Sequence, residues 1–357
     1  MACGMPLTPN RESEVDTLSQ PLLEVKHLRT SFFTHVGEVQ AIRDISFSVE
    51  RGEFIGIVGE SGSGKSVTSL SIMQLLQYPG RVTGGEIYFD GEDLLKKDKR
   101  EMRKIRGNRI SMCFQDPMTA LNPLYTIGNQ INEVLQEHQK LSRAEATAKT
   151  VEMLEMVGIP DPSARVRSYP HEFSGGMRQR AMIAMALACQ PELLIADEPT
   201  TALDVTIQAQ VLRLLKKLQD QTGTSIILIT HDLGVVASSC SRIIVMYGGQ
   251  IMETGKVSDI FYSPRHPYTM GLLKSIPKVG QGNQRLESIP GTPPDMLNPP
   301  KGCPFYPRCE FAMQVCREQS VPEFQAGEEH CVRCWLCHPE APKPEKYLNQ
   351  KGGIRNG

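Results

Sequence analysis

Short apolar runs recur along this chain, and most of them stop at small or acidic residues. Phe54 to Val58, Leu193 to Ala196 and Ser225 to Ile229 have the length of strands and are too short for helices. The run at Leu193 ends in Asp197 and Glu198, as a buried parallel strand does when it delivers acids to its carboxyl end. Leu22 to Leu28 and Ile45 to Val49 read as strands flanking a turn at Thr34-His35-Val36-Gly37-Glu38. Gly248-Gly249 reads as a hairpin turn between Ile243 to Tyr247 and Gln250 to Glu253.

Helical spacing appears in two places. Ser142-Arg143-Ala144-Glu145 is a capping box that opens a helix to about Val157, stopped by Gly158 and Pro160. From Val205 to about Gln221 the residues Val211, Leu214, Leu215 and Leu218 share one face, with Gly223 beyond the end. After Tyr262 prolines crowd the chain (Pro264, Pro267, Pro277, Pro290, Pro293, Pro294, Pro299, Pro300) and argue against long regular elements. The fold class predicted is α/β, with a polar tail at 1–21, a main domain at 22–255, an irregular extension at 256–345 and a flexible tail at 346–357.

Chemistry sharpens this picture at Gly59-Glu60-Ser61-Gly62-Ser63-Gly64-Lys65-Ser66, directly after the first apolar strand. This is a Walker A pattern. Glycines let successive backbone N–H groups curl toward phosphates, with Ser61, Ser63 and Val67 completing the cradle. Lys65 supplies charge to the β and γ oxygens, and the Ser66 hydroxyl suits Mg²⁺. The acids ending the Leu193 strand complement it: Asp197 would hold Mg²⁺ and Glu198 would orient the attacking water.

Composition excludes some classes. The 357 residues carry a net charge of -1 and are 22% charged, so no long-range attraction to nucleic acid is expected. No apolar run has the length to span a bilayer, and Met1 to Gln20 lacks the basic start and apolar core of a secretory leader. A soluble chain is expected; if it drives transport, the membrane path belongs to other chains.

Between the two phosphate motifs lies Phe173-Ser174-Gly175-Gly176-Met177-Arg178-Gln179, and with it the chain resembles an ABC-type ATPase. The resemblance implies a P-loop NTPase core with a helical subdomain at about 116–180, ATP and Mg²⁺ as ligands, and a second ATPase subunit paired head to tail. Ser174, Gly175 and Gly176 would then face the γ-phosphate held by the partner, with the helix N-terminus favouring that charge. Phe173 and Met177 replace the leucine and glutamine usual in the family, a form that resembles the peptide-importer branch. The resemblance further matches Gln115 to the glutamine that touches Mg²⁺ and water, and His231 to the γ-phosphate histidine. It matches Asp204 to the acid that couples the two sites, and Phe32, with Phe33 as rival, to the aromatic stacked on adenine.

Pro264-Arg265-His266-Pro267-Tyr268-Thr269 resembles the His-Pro-Tyr element of dipeptide and oligopeptide importer ATPases. Six of the ten cysteines follow, at Cys303, Cys309, Cys316, Cys331, Cys334 and Cys337. In a reducing compartment, clustered thiols point to metal before disulfides. The resemblance implies four ligands, Cys303, Cys309, Cys316 and best Cys334, with Cys331 and Cys337 as extras. Their wide spacing leans to a [4Fe–4S] cluster, with Zn²⁺ or free, incidental thiols as the alternatives. The whole reading is an ATPase subunit of an oligopeptide or dipeptide importer at the cytoplasmic face of the membrane. Its expected partners are a second ATPase subunit forming a heterodimer, two permease subunits and an extracellular peptide-binding protein. Import of nickel or another small solute, or a soluble ABC ATPase without a transport role, is the alternative.

Overall fold

The computed structural model describes residues 20–200, 205–276 and 288–350. Among them the strands are β1 (Leu23–Thr34), β2 (Gly37–Val49), β3 (Phe54–Val58), β4 (Gly80–Phe89), β5 (Glu92–Asp93) and β6 (Ile110–Cys113). They continue with β7 (Leu193–Asp197), β8 (Ser225–Thr230), β9 (Arg242–Tyr247), β10 (Gln250–Lys256), β11 (Phe324–Gln325) and β12 (Cys331–Val332). One sheet has the order β2-β1-β4-β5 and the other β11-β12-β10-β9-β3-β8-β7-β6. In the larger sheet β6, β7, β8, β3 and β9 run parallel, while β10, β12 and β11 add an antiparallel edge.

The apolar runs lack polar alternation because both faces of this sheet are covered. Ile55, Ile57, Ile195, Ile227 and Ile229 join Leu23, Ile45 and Ile87 of the antiparallel sheet in one buried cluster. Their neighbours Phe54, Val58, Leu194, Ala196 and Leu228 point the other way, onto helical residues such as Ile183, Val211 and Leu215. Each such Ile or Leu contributes about 1.5–3 kcal/mol by burial, so this sandwich is the main source of stability.

Two expectations change in extent. β1 runs six residues past Leu28 and β2 begins eight residues before Ile45, the two pairing from Leu23↔Val49 to Thr34↔Gly37. The signal was hidden because Thr30 and Ser31 are buried polar residues, with Thr30 Oγ1 3.0 Å from Ser71 Oγ. Pairing with β4 on the other edge holds this stretch extended despite its polarity.

The helical subdomain rests on the Ile127–Gln139, Arg143–Met156 and Gly175–Leu187 helices. Ser142 caps the second as expected: Glu145 N–H donates to Ser142 Oγ at 3.3 Å, and Ser142 N–H to Glu145 Oε2 at 2.9 Å. The helix at Val205 extends to Thr222, and Gly223 follows it with a φ of 70°.

Beyond β10 the regular elements are short. The longest helix wholly within the extension, among the described residues, is Pro267–Lys274, with His266 as its N-cap and Pro267 in its first turn. The extension is nonetheless continuous with the core. β12 pairs with β10 at Glu253↔Val332, and Tyr268, Cys303 and Phe305 belong to the same buried cluster as the sheet.

Candidate functional site

β3 ends at Val58, and the chain curls through residues 59–64 into the Lys65–Ile72 helix. Gly62 has a φ of 77°, a left-handed conformation that a residue with a Cβ rarely adopts, with open space where a Cβ would stand. At Gly64, with a φ of 103°, a Cβ would lie 2.8 Å from the carbonyl oxygen of Ala41. Only glycine lets the loop lie this close to β2.

Lys65 Nζ donates to the carbonyls of Gly59 at 2.8 Å and Glu60 at 3.0 Å. Burial lowers its pKa, while Glu198, Asp197 and Glu60 pull it back up, so the ammonium is held among acids. Ser66 Oγ donates to Asp197 Oδ1 at 3.0 Å, which places the first hydroxyl of the helix against the carboxyl end of β7. Asp197 is 5% exposed, and burial pushes its carboxyl up to about 6, with Ser66 acting against the shift.

Glu198 follows in a left-handed backbone conformation, φ 47°, rare for a residue with a side chain and often stored at functional sites. Its amide donates to the Ile229 carbonyl of β8 at 2.9 Å, which fixes the turn. Gln115 Nε2 donates to Glu198 Oε2 at 2.9 Å, and His231 Nδ1 lies 3.5 Å from Glu198 Oε1. These ends of β3, β6, β7 and β8 open on a cleft of about 610 Å³ lined by Glu60, Ser61, Gly62, Gly64, Lys65, Ser66, Val67, Gln115, Glu198, His231 and Leu272. Leu272 comes from the extension, a contribution no motif announces. The Ser66 hydroxyl and the Asp197 carboxylate beside it are hard oxygen donors of the kind Mg²⁺ takes together with water and phosphate, and the Gln115 side chain lines the same cleft.

Other expected residues stand apart. Ser174 and Gly175 are exposed and Gly176 half-buried at the start of the Gly175–Leu187 helix, with Ser174 Oγ accepting the Met177 N–H at 3.3 Å. They do not line the Lys65 cleft. Neither do Phe32 and Phe33: Phe32 packs over Gly80, and the Arg81 guanidinium sits 4.1 Å from the Phe33 ring centroid. Asp204 lies outside the described residues.

In the extension, Cys303, Cys316 and Cys334 are buried, and Cys303 N–H donates to the Cys316 carbonyl at 2.8 Å. Burial pushes the Cys303 thiol up to about 11 and the Cys309 thiol to about 12, with each also feeling neighbouring thiols. Cys334 is raised likewise, within electrostatic reach of Cys303 and Cys309. Cys331 Sγ engages Gln325 Oε1 at 3.2 Å and Cys337 lies 3.9 Å from the Tyr347 hydroxyl. Among the described residues, however, no group of three or more His, Cys, Asp or Glu side chains is arranged to hold a metal ion. Cys303, Cys309 and Cys334 thus lie within electrostatic reach of one another, each thiol raised chiefly by burial.

A parallel sheet with a phosphate loop at its carboxyl edge, paired acids on the next strand but one and a helical insertion between them define an ABC-type ATPase cassette. Residues 42–201 match the family described as ABC transporter, and residues 252–316 the family described as oligopeptide/dipeptide transporter, C-terminal region. The oligopeptide transport ATP-binding protein OppD of Bacillus subtilis is 59% identical over 326 residues, 91% of this chain and 91% of its own. The dipeptide transport ATP-binding protein DppD of the same organism is 54% identical over 318 residues, 89% of this chain and 95% of its own. A solved dimeric ATP-binding cassette in a post-hydrolysis state with ADP and Pi superposes with a TM-score of 0.60 at 30% identity, covering 66% of this chain and 98% of that one. The chain belongs to the ABC transporter family, among the oligopeptide and dipeptide transport ATP-binding proteins. Among the described residues no helix is long and apolar enough to cross a membrane.

Proposed function

We propose that this chain hydrolyses ATP to drive uptake of oligopeptides or dipeptides through separate permease subunits. One observation carries the reading: Lys65, Ser66, Gln115, Asp197, Glu198 and His231 converge at one cleft in a chain whose residues 252–316 match the peptide-transporter region. The loop amides and Lys65 bind the phosphates. Ser66, Asp197 and Gln115 would hold Mg²⁺, which would supply Lewis-acid stabilisation of phosphate charge. Glu198 orients the attacking water and accepts its proton, steadied by Gln115, while His231 bonds the γ-phosphate. Phe32, or Phe33 in its place, stacks on adenine.

Ser174 and Gly175 are exposed at a capped helix start with half-buried Gly176 beside them, as required if they complete the cleft of a second ATPase subunit, in our reading a different chain. Asp204 links the two sites. Permease contact falls on the segment after Gln115, where Met118, Leu124 and Tyr125 are 57%, 80% and 55% exposed. The protein would work at the cytoplasmic face of the membrane with two permeases and an extracellular peptide-binding protein. We take 22–255 as the nucleotide domain, with 116–180 as its helical subdomain, and 256–345 as the extension.

The direct test is uptake: removing the chain should abolish import of at least one class of peptide. Unchanged uptake of di- to oligopeptides, with loss of nickel or another solute, would transfer the reading to that solute. Lys65→Ala should weaken ATP binding itself. The [4Fe–4S] reading on Cys303, Cys309, Cys316 and Cys334 is supported by the gathering of these thiols in one corner, and the absence of a ready ligand group counts against it. Iron and acid-labile sulfide analysis of anaerobically prepared protein decides it, and stoichiometric zinc would favour the alternative.

A further inference from the structure

Glu60 is an acid built into a loop that receives a polyphosphate, an arrangement that repels the ligand unless something neutralises it. The extension supplies that neutraliser. Arg308 Nη1 donates to Glu60 Oε2 at 2.6 Å and Nη2 to Glu60 Oε1 at 3.1 Å, a two-pronged pair. The Arg308 side chain is 5% exposed, and its remaining donors are also taken. Nε meets the Pro290 carbonyl at 2.8 Å, Nη1 the Tyr247 hydroxyl at 3.0 Å and Nη2 the Ile289 carbonyl at 3.0 Å. Lysine has neither the fork nor the donors to replace it.

The same loop residue is held a second time. Glu60 N–H donates to the hydroxyl of Tyr268 at 2.8 Å, and the Tyr268 ring is fully buried against Tyr247 and Phe305. The Glu60 carbonyl in turn accepts from Lys65 Nζ. One residue is thus gripped from the extension at its amide and carboxylate while its carbonyl holds the phosphate-binding lysine.

We propose that Arg308 and Tyr268 are positioning residues for ATP binding: they neutralise and orient Glu60, and through it set the Walker A loop and Lys65 for the phosphates. The extension is then a determinant of nucleotide affinity as well as an appendage of the cassette. This rests on the nucleotide reading of the cleft, which Lys65→Ala tests separately.

The experiment titrates the full-length chain with a fluorescent ATP analogue and measures ATPase kinetics in the assembled transporter. Arg308→Met should raise Kd and KM for ATP about tenfold with kcat little changed, because an uncompensated carboxylate then faces the phosphates. Arg308→Lys should fall between, and Tyr268→Phe should cost about threefold. The decisive variant is Glu60→Gln combined with Arg308→Met: removing the stranded charge should restore most of the lost affinity. An arginine that only scaffolds the extension gives a double variant no better than Arg308→Met, and that result overturns the proposal. So does an ATP affinity unchanged in Arg308→Met and Tyr268→Phe while Lys65→Ala abolishes binding. If Arg308→Met does not fold, Arg308→Gln, alone and with Glu60→Gln, carries the same comparison because it too leaves the Glu60 carboxylate uncompensated.

Discussion

In the cassette, all of β3, β7 and β8 is buried and successive residues feed two apolar clusters; in the extension, the longest helix among the described residues has eight residues, the apolar cluster of Met270, Phe311, Val332, Leu336 and Tyr347 is small, and buried polar anchors add to it. One anchor is Glu253 on β10, wholly buried, whose carboxylate accepts the amides of Arg265 at 2.6 Å and His266 at 3.0 Å and meets His330 Nε2 at 2.7 Å. Another is Arg308 on Glu60. The contrast separates two ways of building function. Where many apolar side chains share the load, the site can be made of backbone and glycine. Where regular elements are short and the apolar cluster small, polar anchors that are specific and long-range carry more of the order and are sensitive to single substitution.

The most severe test of that separation is Glu198→Gln. Hydrolysis in the assembled transporter should drop by about 10²–10⁴-fold while ATP binding persists, because the carboxylate acts on water and the phosphates are held by the loop. The extension should be untouched. Undiminished turnover would remove Glu198 from the chemistry, and loss of ATP binding would mean that cleft and loop are not separable in the way the geometry suggests.

Next in size is Glu253→Ala, which strands two buried amides and His330. It should destabilise the protein by about 3–5 kcal/mol, read from denaturant unfolding. Limited proteolysis should then cut first beyond residue 256, leaving a resistant cassette. Cleavage spread evenly over the chain would show that the two regions unfold as one body, as their shared buried cluster also permits.

The same contrast decides what could be read from sequence. The Walker A run was legible because its chemistry lies in glycines and one lysine at fixed local spacing, and the strand runs because both faces of the sheet are apolar. The capping box at Ser142 was legible for the same local reason. The meeting of Gln115 and Glu198 across 83 residues was expected only from the resemblance, and not legible at all were Glu253 to His330, which spans 77, and Arg308 to Glu60, which spans 248. Arg308 sits in a proline-rich stretch among cysteines that draw attention to themselves, and Glu60 occupies a position the phosphate motif leaves open. β1 was cut short because Thr30 and Ser31 are polar yet buried, so an apolar pattern cannot find them. The left-handed backbone of Glu198 has no signature in composition at all.

The mildest test uses acid to loosen the extension while sparing the apolar core. His266 is 1% exposed, and burial pulls its pKa from 6.5 to about 4, with Glu253 opposing the shift. Its Nδ1 accepts the Tyr268 N–H at 3.0 Å, so the neutral ring caps the Pro267–Lys274 helix. Because the folded pKa lies below the unfolded one, the unfolded chain takes up the proton first as pH falls. Stability is therefore unaffected by this group above about 6.5 and declines from there toward about 4. By pH 5.5 the loss should be about 1 kcal/mol. His266→Asn keeps a side-chain acceptor for the Tyr268 amide and has no proton to gain, so its unfolding free energy should lack this slope while other acid-sensitive groups remain. Parallel pH profiles for the two proteins would show that His266 takes up its proton equally in the folded and the unfolded chain, and the capping role of its neutral ring would then fall.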